Sequence, residues 1–190
     1  MQIVFATNNQ NKIKEVQALL PKEIKLLSLE DIGCVEEIPE TQDTIEGNAI
    51  QKAAYIKTKY GHDCFADDTG LEVEALQKAP GVYSARYAGA SCNATNNMAL
   101  LLENLSNHPN RKAQFKTVIA LQYNNKQHIF TGICEGTITH TKHGEKGFGY
   151  DPIFKPKGHQ HTFAEMDLDL KNTIGHRGKA IAQLIRFLNS

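Results

Sequence analysis

The stretch CFADDTGLEV, Cys64–Val73, places two adjacent aspartates at the end of a short apolar run. A buried carboxylate is costly unless it is paired, so Asp67 and Asp68 need partners at the edge of the core. Successive side chains on a strand point to opposite faces, so both cannot enter one pocket while the chain stays extended. We expect one aspartate to enter a functional site and the other to brace a turn at Thr69–Gly70. On its own, an Asp-Asp-x-Gly sequence also fits a solvated turn.

The composition is that of an ordinary globular protein, with 41% hydrophobic and 22% charged residues. The chain length of 190 residues suits a single domain over residues 1–190. Basic and acidic side chains number 21 each, and this balance argues against a nucleic-acid partner. The four cysteines form no CxxC pair, and no apolar run reaches the length of a membrane span. We therefore expect a cytoplasmic protein with no membrane partner.

The apolar pattern predicts an α/β fold with a mixed sheet. Strands and helices alternate at first, and a β-rich region with a predicted Asn-Asn hairpin follows. Asp43, three residues before Glu46, is the predicted start of the second helix. The predicted elements include strands at 2–6, 24–29 and 71–76, a hairpin from 113 to 136, and helices that begin near residues 12, 44, 94 and 180.

The first strand-to-helix junction, FATNNQNKIKE, has the features of an anion site. A buried strand is followed by five small polar residues, Thr7 to Asn11, and Lys12 is expected to open a helix. Free backbone N–H groups, a positive helix end and a lysine suit a phosphate. The spacing is not that of a P-loop, and a polar loop with a chance lysine is the alternative interpretation.

An acidic strand end near phosphates predicts a magnesium site, because Mg²⁺ binds through one or two carboxylates plus phosphate oxygens and water. A second carboxylate should come from the loop EEIPETQD, which offers Glu36, Glu37 and Glu40. Spacing alone does not choose among these three, and a solvated acidic loop would have the same composition.

Two further segments could contact a nucleoside. In KGFGYDPIF, Lys146–Phe154, glycines permit close backbone approach and an aromatic face can stack on a base. The segment KNTIGHRGKA offers Lys171, His176 and Arg177 as hydrogen-bond donors before the last helix. The alternative interpretations are a β-turn with packed aromatics and a basic surface loop.

Six motifs occur in an order that resembles one known family. They are FATNNQNKIKE, PETQDTIEGNAIQKA, ADDTGLEV, PGVYSARYAG, GFGYDPIF and HRGKA. The chain is similar over nearly its whole length to the non-canonical purine nucleoside triphosphate pyrophosphatases, the HAM1-like inosine/xanthosine triphosphatases, in their bacterial form. The resemblance implies an elongated, two-lobed α/β fold with the active site in a cleft between the lobes. It also implies a homodimer that uses Mg²⁺ to cleave ITP, dITP or XTP to the monophosphate and pyrophosphate.

The resemblance also implies residue roles. Asp68 would be the proton acceptor and, with Glu40, a magnesium ligand, and Lys52 would lie near the phosphates. The implied substrate contacts are Thr7, Asn8, Asn9, Gln10, Asn11, Lys12, Thr69, Phe148, Gly149, Tyr150, Asp151, Lys171, His176 and Arg177.

One position departs from the family pattern. Many relatives have Glu before the Asn-Ala of the second helix, where this chain has Gly47. Glycine inside a helix costs about 1 kcal/mol relative to alanine, and an accessory role for that carboxylate is absent here. A nucleotide-binding sensor without turnover is the alternative function, against which the intact set of Lys12, Glu40 and Asp68 argues.

Overall fold

The computed structural model describes all 190 residues and contains seven strands and five α-helices, with short 3₁₀ turns between them. The strands are β1 (Gln2–Phe5), β2 (Lys25–Leu27), β3 (Cys64–Val73), β4 (Pro80–Gly81), β5 (Lys112–Tyr123), β6 (Lys126–Ile138) and β7 (Phe154–Pro156). The helices are α1 (Gln10–Leu19), α2 (Ile45–Tyr60), α3 (Ala94–Asn104), α4 (Leu168–Ile174) and α5 (His176–Leu188). None of these helices has the length and apolar character needed to span a membrane.

The strands form one mixed sheet in the order β2-β1-β3-β5-β6-β7, with β4 beside β3. β1 pairs in parallel with β2 and β3, whereas β4 and β7 pair antiparallel with β3 and β6. Parallel neighbours need crossover connections, which α1 and α2 provide. The predicted α/β fold with a mixed sheet flanked by helices is confirmed.

The chain divides into two compact units, each with its own apolar core. Unit 1 comprises residues 1–68, 117–132 and 177–190, and unit 2 comprises residues 69–116 and 133–176. The core of unit 1 includes Ile3, Phe5, Val16, Phe65, Ile119, Leu121, Ile181 and Leu184. The core of unit 2 includes Leu71, Val73, Leu101, Phe115, Phe154 and Phe163. The single domain and the cleft expected from the sequence stay predictions.

Local signals predicted the start of α3 and the turn of the hairpin correctly, whereas α5 begins at His176 rather than near residue 180 and α4 was not expected. Asn93 caps α3 by accepting a hydrogen bond from the Asn96 N–H, and Asn124 and Asn125 join β5 to β6 with positive φ angles, as a tight hairpin requires. The predicted start of α2 was wrong by one residue. Thr44, not Asp43, caps this helix, because the Thr44 hydroxyl accepts from the Gly47 N–H at 2.9 Å.

The turn predicted at Thr69–Gly70 does not exist. β3 runs unbroken from Cys64 to Val73, so residues 71–73 of the strand expected at 71–76 belong to β3, and Glu74–Leu76 form a 3₁₀ turn instead of a strand. The strand continues because its neighbours supply partners on both sides. Gly81 of β4 pairs with Leu71, and the Ser84 hydroxyl accepts from the Leu71 N–H at 2.8 Å.

A polar cluster anchors the loop before α2. The Glu36 carboxylate accepts hydrogen bonds from the Tyr55 and Tyr60 hydroxyls and from the Lys59 ammonium, at 2.6 to 2.9 Å. These hydrogen bonds lower the pKa of Glu36 from 4.5 to about 2, and the bond from Lys59 has the largest effect. Glu37 lies next to it, is exposed and takes no part in the cluster.

We expect Glu36→Gln to make stability less dependent on pH. A carboxyl group whose pKa is lowered by folding stabilises the folded state above its unfolded pKa, and this contribution is lost as pH falls through the folded value of about 2. The variant should be less stable than wild type near neutral pH, and the difference should shrink between about pH 4.5 and about pH 3. Urea unfolding across this range measures it. Glu37→Gln is the control, and an equal effect in both variants would contradict the assignment.

Candidate active site

The polar loop after β1 carries the predicted phosphate contacts Thr7 to Lys12. α1 begins at Gln10 rather than at the predicted Lys12, because Asn9 is the N-cap. The Asn9 side chain accepts from the backbone N–H groups of Asn11 and Lys12, at 3.0 and 3.2 Å. The backbone N–H of Asn9 donates to the Thr7 hydroxyl. The Asn9 side chain therefore occupies two of the free N–H groups at the positive end of α1. Asn8, Asn9 and Gln10 remain exposed.

Asp67 is at the centre of a buried ion cluster in unit 1. One of its oxygens accepts from Lys12 Nζ at 2.8 Å, and the other accepts from Arg177 Nε at 3.0 Å. Arg177 also donates to the carboxylate of Glu15. Burial opposes ionisation of Asp67, but the charges of Lys12 and Arg177 outweigh it and hold its pKa below the ordinary value. Asp67 thus anchors two cations and does not brace a turn, which corrects the sequence expectation.

Glu15 is a member of this cluster that the sequence analysis missed. It is buried, and it lies four residues before Leu19 on the side of α1 that faces the core. A charged residue on an apolar stripe is a signal for a buried ion pair, but its partner Arg177 is distant in the chain. Only the tertiary structure therefore shows that Glu15 pairs with Arg177.

Asp68 points to the opposite face of β3 and meets α2. Its Oδ2 accepts from Asn48 Nδ2 at 3.3 Å, and its Oδ1 lies 3.9 Å from Lys52 Nζ. Lys52 also donates to Glu40 Oε1 at 2.5 Å. Burial raises the pKa of Asp68 above its ordinary value, and this exceeds the lowering effect of the Lys52 and Lys12 charges. The structure therefore brings together Glu40, Lys52 and Asp68, which the family resemblance assigned to one site.

Glu40 and Asp68 fit a magnesium ion by the chemistry of their donor atoms. Both present hard carboxylate oxygens to the single ammonium of Lys52, so a cation can contact both acids at one place. No group of three or more His, Cys, Asp or Glu side chains is arranged to hold a metal. Two carboxylates suit Mg²⁺, which completes its octahedron with water and substrate phosphate.

The glycine-aromatic loop of unit 2 is organised by Asp151. Its Oδ2 accepts from the Phe148 N–H at 2.8 Å and from Lys171 Nζ at 2.6 Å. Lys171 Nζ also lies 4.8 Å from the centre of the Phe148 ring, within cation–π range. Gly147 has a φ of +75°, and a Cβ there would lie 2.1 Å from Asp151 Oδ2. The loop conformation therefore requires Gly147 and places Phe148, Asp151 and Lys171 together.

Several predicted substrate contacts have well-defined structural partners. Tyr150 is buried, and its hydroxyl donates to the Ser84 carbonyl at 2.8 Å. His176 is buried in unit 2, where its ring stacks on Phe115 with centroids 4.6 Å apart. Phe148, Gly149 and Thr69 are partly exposed.

The structure does not bring all predicted residues into one cluster. The first cluster comprises Lys12, Asp67 and Arg177, the second comprises Glu40, Lys52 and Asp68, and the third comprises Phe148, Asp151 and Lys171.

The two aspartates should differ in their effect on stability. Asp67→Asn leaves the partly buried Lys12 and the buried Arg177 without their shared counter-ion, and breaking a buried ion pair costs about 3–5 kcal/mol. Asp68→Asn should cost less, because burial already disfavours the charged form of Asp68. Urea unfolding at neutral pH measures both changes. Equal losses in the two variants would contradict the assignment of Asp67 as the structural acid.

Known proteins match this chain over its whole length. The model of the Ham1 family matches residues 3–187. Relatives named dITP/XTP pyrophosphatase from Flavobacterium johnsoniae and Flavobacterium psychrophilum are 64% and 62% identical over 190 residues. The alignments cover 100% of this chain and 99% and 100% of those relatives.

Solved structures agree with this match. A HAM1 protein from Coxiella burnetii superposes with a TM-score of 0.92 at 41% identity, and the Ham1 protein of Staphylococcus aureus with 0.91 at 38%. Each comparison covers 100% of this chain and 98% of the other. This chain belongs to the Ham1 family.

Proposed function

We propose that this chain hydrolyses non-canonical purine nucleoside triphosphates (ITP, dITP and XTP) to the nucleoside monophosphate and pyrophosphate, and so removes them from the nucleotide pool. Relatives with more than half of their residues identical carry the name dITP/XTP pyrophosphatase. The observation that carries the proposal is the convergence of Glu40 and Asp68 on Lys52, with Lys12 on the other face of the same strand. Such a set of cations and acids suits a polyphosphate substrate.

The proposal assigns Asp68 the role of proton acceptor. Its burial raises its pKa, which makes the carboxylate a better base than an exposed aspartate. Asp68 would take a proton from a water that attacks the α-phosphorus, and the bond to the leaving pyrophosphate would break. Lys12 and Lys52 would stabilise negative charge on the phosphates, and the loop Thr7–Asn11 would contribute polar contacts.

Mg²⁺ dependence is part of the proposal. Glu40 and Asp68 would hold the ion, which would supply neutralising charge for the leaving pyrophosphate when bound. Lys52 would then keep its place near the phosphates rather than bridging the two acids. A homodimer also belongs to the proposal, on the strength of the family resemblance alone. A cytoplasmic location belongs to it too, and is supported by four free cysteines, which suit a reducing compartment.

Recognition of the base is assigned to unit 2 and to the start of α5. The Phe148 ring would stack on the purine, and Tyr150 and Asp151 would hold the loop in shape. Hypoxanthine and xanthine carry a 6-oxo acceptor where adenine has an amino donor, so donors such as those of His176 and Arg177 would favour the 6-oxo bases. Lys171 would complete the predicted nucleoside contacts.

A panel of ITP, dITP, XTP, GTP and ATP with Mg²⁺ tests the function. We expect monophosphate and pyrophosphate as products, with ATP the poorest substrate. Asp68→Asn should lose more than the roughly 10²–10⁴-fold typical of general acid–base catalysis, because it removes a base and a metal ligand together. Diphosphate and orthophosphate as the main products would contradict the proposal. Binding of ITP without any pyrophosphate release would favour the alternative of a nucleotide sensor.

Substitutions at two glycines of unit 2 test the role of the loop that carries Phe148. Gly147 and Gly158 both have positive φ, but a Cβ on Gly147 would meet Asp151 Oδ2 whereas a Cβ on Gly158 would meet nothing within 4 Å. Gly147→Ala should raise KM for ITP about tenfold or more, since losing a hydrogen bond to a charged group costs about 1.5–3 kcal/mol. Gly158→Ala, at an exposed position outside the predicted substrate contacts, is the matched control for backbone strain. Similar KM values in both variants would argue against this role of Asp151.

A further inference from the structure

Asn48 lies on the first turns of α2 and is only 1% exposed. A buried amide costs free energy unless its donor and acceptor are both satisfied. Both are satisfied here by groups that lie outside the helix. Asn48 Oδ1 accepts from the Gln42 N–H at 2.9 Å, and Asn48 Nδ2 donates to Asp68 Oδ2 at 3.3 Å.

These two hydrogen bonds connect the elements that carry the proposed metal ligands. Gln42 is two residues after Glu40 in the loop before α2, and Asp68 is on β3. The two partners also define the orientation of the Asn48 amide. Its oxygen must face the Gln42 N–H, which is a donor, and its NH₂ group must face the Asp68 carboxylate, which is an acceptor. One side chain therefore joins the acidic loop to the acidic strand.

A second amide holds the same loop without touching β3. Gln51, three residues after Asn48, accepts from the Thr41 N–H at 2.9 Å and donates to the Thr41 hydroxyl at 2.8 Å. Gly47 allows this close packing, since a Cβ there would lie 2.8 Å from the Gln42 Cβ. The glycine that departs from the family pattern thus lets the loop lie on the first turn of α2.

The contact with Asn48 also orients Asp68. Because Oδ2 is directed at Asn48, Oδ1 is directed at Lys52, the same ammonium that Glu40 contacts. Free rotation of the Asp68 carboxylate would lose this convergence. Hydrogen bonds of this kind orient metal ligands, and their loss typically weakens metal binding about 10- to 100-fold.

We propose that Asn48 is a positioning residue, which acts through Asp68 and the loop of Glu40 to hold the two carboxylates where one divalent cation can meet both. The proposal rests on the function proposed above, because that function makes these carboxylates metal ligands. Asn48 itself neither contacts the phosphates nor ligates the ion.

Direct binding of Mn²⁺ to the full-length, metal-free protein tests the proposal, with free Mn²⁺ measured by electron paramagnetic resonance. Asn48→Ala should weaken Mn²⁺ binding about 10- to 100-fold. Gln51→Ala is the matched control, since it releases the loop at Thr41 but leaves the contact with Asp68, and its affinity should stay close to that of wild type. Unchanged affinity in Asn48→Ala, or equal weakening in both variants, would overturn the proposal.

A double-mutant cycle separates action through Asp68 from a general loss of structure. In an Asp68→Ala background, the further change Asn48→Ala should weaken Mn²⁺ binding by much less than it does in the wild-type background, because the contact with Asp68 is already absent and only the bond to the Gln42 N–H is lost. An additional loss of the full size in this background would overturn the proposal. If Asn48→Ala does not fold, as judged by thermal melting, Asn48→Thr has nearly the same volume and replaces it in every arm.

The product assay on wild type keeps the two proposals separable. If wild type releases no pyrophosphate from any nucleotide, the proposed function fails, whatever the Mn²⁺ affinities are. If wild type releases pyrophosphate and the Mn²⁺ affinities of Asn48→Ala and wild type agree, only the positioning role of Asn48 fails.

Discussion

Two adjacent carboxylates on a central, buried strand are the constraint on which the arrangement of unit 1 depends. Asp67 and Asp68 are both buried, and a strand turns them to opposite faces. Each face must therefore supply its own compensating groups. Lys12 of α1 and Arg177 of α5 do so for Asp67, and Asn48 and Lys52 of α2 do so for Asp68. Three helices are thus tied to one strand by charge as well as by apolar packing.

The same constraint gives the two aspartates different chemistry. Two cations within hydrogen-bonding distance hold the pKa of Asp67 low in spite of its burial, so it stays ionised and structural. Asp68 accepts a hydrogen bond from the Asn48 amide and lies 3.9 Å from the Lys52 ammonium, which is farther than the cations of Asp67. Its burial raises its pKa. Neighbouring acids whose pKa values are moved apart take different roles, and a raised value suits a proton acceptor. The two aspartates are adjacent in the sequence, but they lie on opposite faces of the sheet and therefore have different neighbours.

Unit 2 uses a buried ion pair for a different purpose. Lys171 and Asp151 are both almost fully buried and 2.6 Å apart, and the pair holds a loop instead of a strand. Because Asp151 also binds the Phe148 N–H, the aromatic ring is presented by a loop with a defined conformation. A preformed loop loses less conformational entropy when a ligand binds than a mobile one would.

The sequence by itself determined the α/β class, the Asn-Asn hairpin, the apolar stripes and the opposite directions of Asp67 and Asp68, because these follow from periods of two and 3.6 residues and from local turn chemistry. Only the tertiary structure decided that β3 continues through the acidic pair and that Glu15 and Asn48 belong to the ion and hydrogen-bond networks. Glu15 meets Arg177 across 162 positions and Asn48 meets Asp68 across 20. Such pairings depend on how helices pack against the sheet, which no local pattern encodes.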